Sequence, residues 1–171
     1  MSTSLSINFE KAVRFLSEHM PVSEPESRKP ILFHDLRVGV YLYEQGYSEE
    51  IVVGGLLHDM LEWSRANQDL IRDVFGEKIL TLVQANSKDD SIEDSVEKTN
   101  ELISRCVQCG QDALIIKSAD IIDSFKWYTL QNNEKELQYC IRNADTILKL
   151  KLDTFQDKIF DEIRAWRDKF S

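Results

Sequence analysis

Apolar residues recur every three or four positions along most of this chain. Phe9, Ala12, Val13, Leu16 and Met20 form such a stripe near the N-terminus, the spacing that lines one face of an amphipathic helix. A polar connector bounded by Pro21 and Pro30 follows, and it carries Arg28 and Lys29. A second helix is predicted from about Ile31 to Gln45, with Gly46 as its stop signal. Ser48 then reads as a cap, followed by an acidic first turn at Glu49 and Glu50. The apolar run from Ile51 to Leu57 suits a buried strand as well as a buried helix. The cap before it, and the continuation through Met60 and Leu61, favour a third helix with His58 and Asp59 late in it.

Asn67 to Phe75 and Glu77 to Ala85 are predicted as short helices on either side of Gly76, with Ser87 to Ser91 as a loop. A longer helix is expected from about Ile92 to Gln108, ahead of Gly110. Leu114, Ile115, Ser118, Ile121, Ile122 and Phe125 trace the face of the next, and Asp120 falls beside that stripe. From Glu134 to Phe170 the apolar positions outline one bent helix or two, which either close the core or pair with a second subunit. There is no internal repeat and no low-complexity tract. The expectation is an all-α helical bundle forming a single domain over residues 1–171.

Composition narrows the function classes. Hydrophobic residues at 42%, charged residues at 30%, and only 6 Gly and 3 Pro in 171 residues fit one globular domain. A net charge of −9 gives no general attraction for nucleic acids or anionic membranes, so an anionic substrate needs a local positive site. The longest apolar stretch is the seven residues ending at Leu57, and Met1 to Ser4 lack a basic region followed by a hydrophobic core. A cytoplasmic location is the resulting expectation. The three cysteines make no disulfide framework, and Cys106 and Cys109, a CxxC without a second pair, read as ordinary helix cysteines.

His58 and Asp59 follow directly on the apolar run, where burial without partners costs several kcal/mol. Either a hydrogen-bonded network or a metal ion satisfies such a pair. His34 and Asp120 would complete a mixed nitrogen and oxygen set, suited to Mn²⁺, Fe²⁺, Zn²⁺ or Co²⁺ and poorly suited to Ca²⁺. Singly, His34 reads equally as a core histidine on a backbone carbonyl, and Asp120 as a helix residue paired with Lys117 or Arg142. Glu62, four residues after His58, shares nearly the same helical face and is either a general base or a solvated helix residue. His19 has no such context and is assigned to the surface or a helix end.

The order His34, His58-Asp59, Asp120 resembles the H…HD…D pattern of the HD-domain metal-dependent phosphohydrolases. Within that superfamily the chain is most similar to the hydrolase domain of the RelA/SpoT proteins and their small stand-alone relatives. Pro30 to His34 resembles a PYxxH segment, Gly55 to Glu62 an ALLHDxxE segment, Phe75-Gly76-Glu77 with Leu82-Val83 an FGxxVxxLV segment, and Lys117 to Asp120 a KLAD segment. The resemblance covers roughly residues 28–130. It implies Mn²⁺ held by His34, His58, Asp59 and Asp120, and removal of the 3′-pyrophosphate from guanosine tetra- and pentaphosphate. Arg28, Lys29, Lys117 and Lys126 match positions that are basic in the family, and Ser124 stands where it has asparagine. A second departure is Trp63 in place of the aspartate that follows the glutamate. The expected partner is a small nucleotide or phosphorylated substrate. Two alternatives are a nucleotidase-like enzyme acting on mononucleotides and a degenerate module that binds a nucleotide without turnover.

Overall fold

Ten α-helices and no strand make up the described residues, 3–23 and 28–170, of the computed structural model. The all-α class follows the apolar periodicity. Two compact helical units make up the chain, Met1–Ser87 and Lys88–Ser171. Part of the polar connector, residues 24–27, lies outside the described residues.

In the first unit, α1 (Thr3–His19), α2 (Ile31–Glu44) and α6 (Glu77–Asn86) pack around α3 (Glu49–Leu57). Neighbours on several sides leave α3 no face for solvent, so Ile51 to Leu57 are all buried and the run is apolar throughout. Ala12, Phe15 and Leu16 of α1 meet Val53, Leu56 and Leu57 of α3, with Ile71, Leu80 and Val83 completing this core. Between them run α4 (Met60–Trp63) and α5 (Gln68–Phe75), the latter capped by Asn67, whose Oδ1 accepts from Leu70 N at 2.9 Å. His19 ends α1, its ring against Phe15 at 4.3 Å.

Two glycines let α2 and α3 approach closely. A Cβ on Gly39 would run into the side chain of Leu56, and one on Gly55 into that of Leu42. Each glycine therefore receives a leucine from the facing helix, an interlock that fixes the register of α2 on α3.

In the second unit, α8 (Gln111–Leu130) is packed by α7 (Ser95–Cys109), α9 (Glu134–Leu150) and α10 (Ile159–Asp168). Helix α7 begins at Ser95 rather than near Ile92, because Asp94 caps it by accepting from Val96 N at 2.9 Å and Glu97 N at 2.8 Å. Gly110, with φ of +126°, turns the chain from α7 into α8. The C-terminal segment resolves into two helices, and Phe125 of α8 stacks on Trp166 at 6.1 Å and Phe170 at 5.8 Å. It closes this unit's own core. Cys106 and Cys140 are buried and Cys109 exposed, all three as free thiols. Burial pushes the Cys106 thiol up to about 12, so it stays protonated and inert.

Filling the α2–α3 interlock should cost stability. Gly39→Val is expected to lower the unfolding free energy by about 1–3 kcal/mol, the usual cost of overpacking a dense core. Urea unfolding measures it, and an unchanged midpoint would show that Leu56 has room to yield.

Candidate metal centre

His34 and Asp35 are fully buried, as nearly are His58 at 1% and Asp59 at 5% exposure. His34 enters at the first turn of α2, where its amide donates to Pro30 O at 2.9 Å. Asp35 heads the inward stripe Asp35, Val38, Gly39 and Leu42, at positions i, i+3, i+4 and i+7.

Helix α3 stops at Leu57, and His58 and Asp59 form the junction with α4 rather than the late turns of one continuous helix. The cause is local. Asp59 has φ −91° and ψ −3°, and its carbonyl accepts from both Glu62 N and Trp63 N at 3.1 Å, the tightened turn from which α4 starts. Glu62 thus sits half-buried on a separate short helix, and the indole of Trp63 beside it is 44% exposed.

The His58 ring is oriented by its own helix. Nδ1–H donates to Gly55 O at 2.8 Å, which leaves Nε2 as the nitrogen with a lone pair. Asp59 Oδ1 lies 3.6 Å from Nε2, whereas Asp35 Oδ1 lies 3.6 Å from Nδ1. The His34 ring stands 5.2 Å from the His58 ring, inclined at 71°. Its Nε2 accepts from Lys29 Nζ at 2.8 Å.

One donor atom from each of His34, Asp35, His58 and Asp59 lies within 4.8 Å of the others. Bonds of about 2.1 Å from opposite sides of an ion set its ligand atoms about 4 Å apart, so the cluster has the span of a single metal's surroundings. Two imidazoles and two carboxylates are also the donor mixture that first-row divalent metals take, and the paired negative charges balance one dication. The donor set fits a divalent metal. Asp35 was not among the residues picked from the sequence. Its signal was a carboxylate heading an otherwise apolar i, i+3, i+4, i+7 stripe, in a His-Asp pair that repeats the one at 58–59.

On α8 of the second unit, Lys117 Nζ donates to Asp120 Oδ2 at 2.8 Å, and Ser124 Oγ donates to Oδ1 at 3.4 Å. Lys117 is 1% exposed. Burial alone would lower its pKa, but the Asp120 carboxylate, with smaller help from Tyr139, outweighs it and leaves the pKa above that of a free lysine. Lys126 faces Glu162 of α10 at 3.6 Å, and Arg28 is exposed.

The sequence pattern characteristic of the HD domain matches residues 12–144. The chain belongs to the HD domain family. A guanosine-3′,5′-bis(diphosphate) 3′-pyrophosphohydrolase of Aquifex aeolicus (strain VF5) is 23% identical over 163 residues. That alignment takes in 94% of this HD domain chain and 23% of the relative's length, so the chain spans under a quarter of that protein. Among solved structures, a metazoan ortholog of SpoT described as hydrolyzing ppGpp superposes with a TM-score of 0.70 at 21% identity, covering 94% of this chain and 95% of that one. A Listeria monocytogenes EGD-e protein superposes with a TM-score of 0.66 at 22% identity, covering 80% and 97%. These structural likenesses establish the HD domain fold.

Removing the cation buried at Asp120 should be costly. Lys117→Met would leave a buried carboxylate without its counter-ion, with an expected loss of about 3–5 kcal/mol in chemical denaturation. In the native chain the raised lysine pKa fixes the sign with pH. The contribution is full below the ordinary lysine value of 10.5 and disappears as pH climbs above it. Wild-type stability in Lys117→Met would remove the pair as a source of stability.

Proposed function

We propose that this HD domain is a metal-dependent phosphohydrolase that cleaves a phosphoester or pyrophosphate bond of a nucleotide. Guanosine tetra- and pentaphosphate are the first substrates to test. One observation carries the reading: a buried set of two histidines and two aspartates, converging within 4.8 Å at the start of α2 and the α3–α4 junction. The names of the Aquifex relative and the metazoan ortholog supply the substrate class.

His34, His58 and Asp59 are the proposed ligands, His58 through Nε2, and Mn²⁺ is the proposed ion. Bound there, it would supply Lewis acidity toward phosphate oxygens and lower the pKa of water. Glu62, half-buried on α4 one turn beyond the Asp59 carbonyl, is the proposed general base that takes the proton of the attacking water. Arg28 and Lys29, just ahead of α2, provide the local positive charge that a polyphosphate needs on a protein of net charge −9. Lys29 releases His34 Nε2 whenever that lone pair is taken by a metal, and its ammonium is then available to an anion. The family resemblance adds Asp120 as a ligand and Lys117, Ser124 and Lys126 as substrate contacts. Metal titration of Asp120→Ala tests the first. With Lys117 and Ser124 already directed at Asp120, their proposed role is to hold that carboxylate.

A second reading, nucleotide binding without turnover, is favoured by Trp63. Its exposed indole stands where the resembled enzymes carry a second carboxylate, and it offers a stacking surface in place of an acid.

The test is phosphate or pyrophosphate release by protein with Mn²⁺, over guanosine tetraphosphate, mononucleotides and an aryl phosphate ester. Release from a guanosine polyphosphate, abolished in Asp59→Ala, is expected. Glu62→Gln should keep the metal and lose turnover by about 10²- to 10⁴-fold; full activity would remove Glu62 from the mechanism. Silence of the metal-loaded protein on every substrate would leave the binding reading.

A further inference from the structure

We propose that Trp63 is a specificity-determining residue: its exposed indole stacks on the base of a nucleotide whose phosphates reach the metal centre. The inference rests on the metal-centre reading, and it holds whether or not the bound nucleotide is then cleaved.

The chain puts this indole one turn from a proposed ligand. Trp63 N donates to Asp59 O at 3.1 Å, the i to i+4 bond of an α-helical turn. Side chains related in this way lie on the same side of the turn, about 5–6 Å apart at their Cβ atoms. Asp59 belongs to the buried donor cluster and Trp63 faces water, so their shared side leads from the cluster to the surface. A nucleotide has the same polarity, with charged phosphates at one end and a flat, largely apolar base at the other.

The core does not call for a tryptophan here. Met60 is fully buried, and Leu61 packs against the same cluster of α1, α3 and α6 side chains. Those two residues anchor α4, whereas the exposed indole forgoes much of the stabilisation that its burial would give. Its backbone is nonetheless held on both sides. Asp59 O takes its amide, and just beyond it Ser64 Oγ donates to Met60 O at 2.7 Å and accepts from Ala66 N at 2.9 Å. A rigid ring on a fixed turn is a preorganised platform, with little left to order when a base settles on it. Every base has a π-face, so the contact selects nucleotides over phosphates that carry no ring, and not one base over another.

The test is titration calorimetry of the Mn²⁺-loaded protein with guanosine diphosphate and with inorganic pyrophosphate, on the wild type, Trp63→Ala and Trp63→Phe. Both ligands offer a diphosphate, and only one carries a base. Trp63→Ala is expected to bind guanosine diphosphate about 5- to 150-fold more weakly, the usual effect of removing a stacked ring, and to keep wild-type affinity for pyrophosphate. Trp63→Phe should recover most of the loss, because a phenyl ring still stacks. Unchanged guanosine diphosphate affinity in Trp63→Ala would overturn the proposal, as would an equal loss for pyrophosphate; in both cases the metal centre stands. A wild type that takes up no Mn²⁺, or that binds neither ligand when loaded, would end the nucleotide reading of the site and this proposal with it. If Trp63→Ala does not fold, tryptophan emission decides. Guanosine diphosphate, and not pyrophosphate, should quench it in the wild type, and the quenching should vanish in Trp63→Phe; quenching that persists there would overturn the proposal.

Discussion

Two carboxylates and two imidazoles have to be placed among aliphatic side chains, and much of the first unit is arranged around that burden. Charge in such surroundings is tolerated only with a counter-charge and fixed geometry. The geometry comes from α3, which is apolar on every side and is therefore wrapped by α1, α2 and α6. Paired glycine and leucine contacts set α2 directly against it. The first turn of α2 and the end of α3 are thus held together, and each contributes a His-Asp pair.

The junction at residues 58–59 gives those pairs their direction. A continuous helix would carry His58 and Glu62 on one face. Ending α3 at Leu57 and restarting at Met60 gives Asp59 two amides to hold with its carbonyl and sets Glu62 and Trp63 on a separate turn. A half-buried acid and an exposed indole thus share the short helix that begins directly after Asp59.

Periodicity made the helices legible, because amphipathic segments such as α1, α7 and α9 declare their buried faces. The family was legible too, through motif order more than through any single pair, and the match over residues 12–144 agrees with it. The break at His58–Asp59 was hidden because Met60 and Leu61 continue the apolar pattern across it. The start of α7 was misplaced by three residues because Ile92 looked like part of its stripe, whereas the Asp94 cap decides the boundary. Asp35 was not legible because a single acid in an amphipathic helix is ordinarily solvated, and only the packing of α2 on α3 shows it to be buried. The Lys117 ammonium was expected at phosphates. Its three-residue spacing to Asp120 on α8 also allows a local ion pair, which the structure shows.

The proposed chemistry requires a metal at the His34–His58–Asp59 centre. Anomalous diffraction at the manganese edge, from crystals grown with Mn²⁺, tests this directly. It should give one strong peak about 2 Å from His58 Nε2 and within bonding reach of His34 and Asp59. A chain that binds Mn²⁺ elsewhere, or gives no peak among these residues, would contradict it.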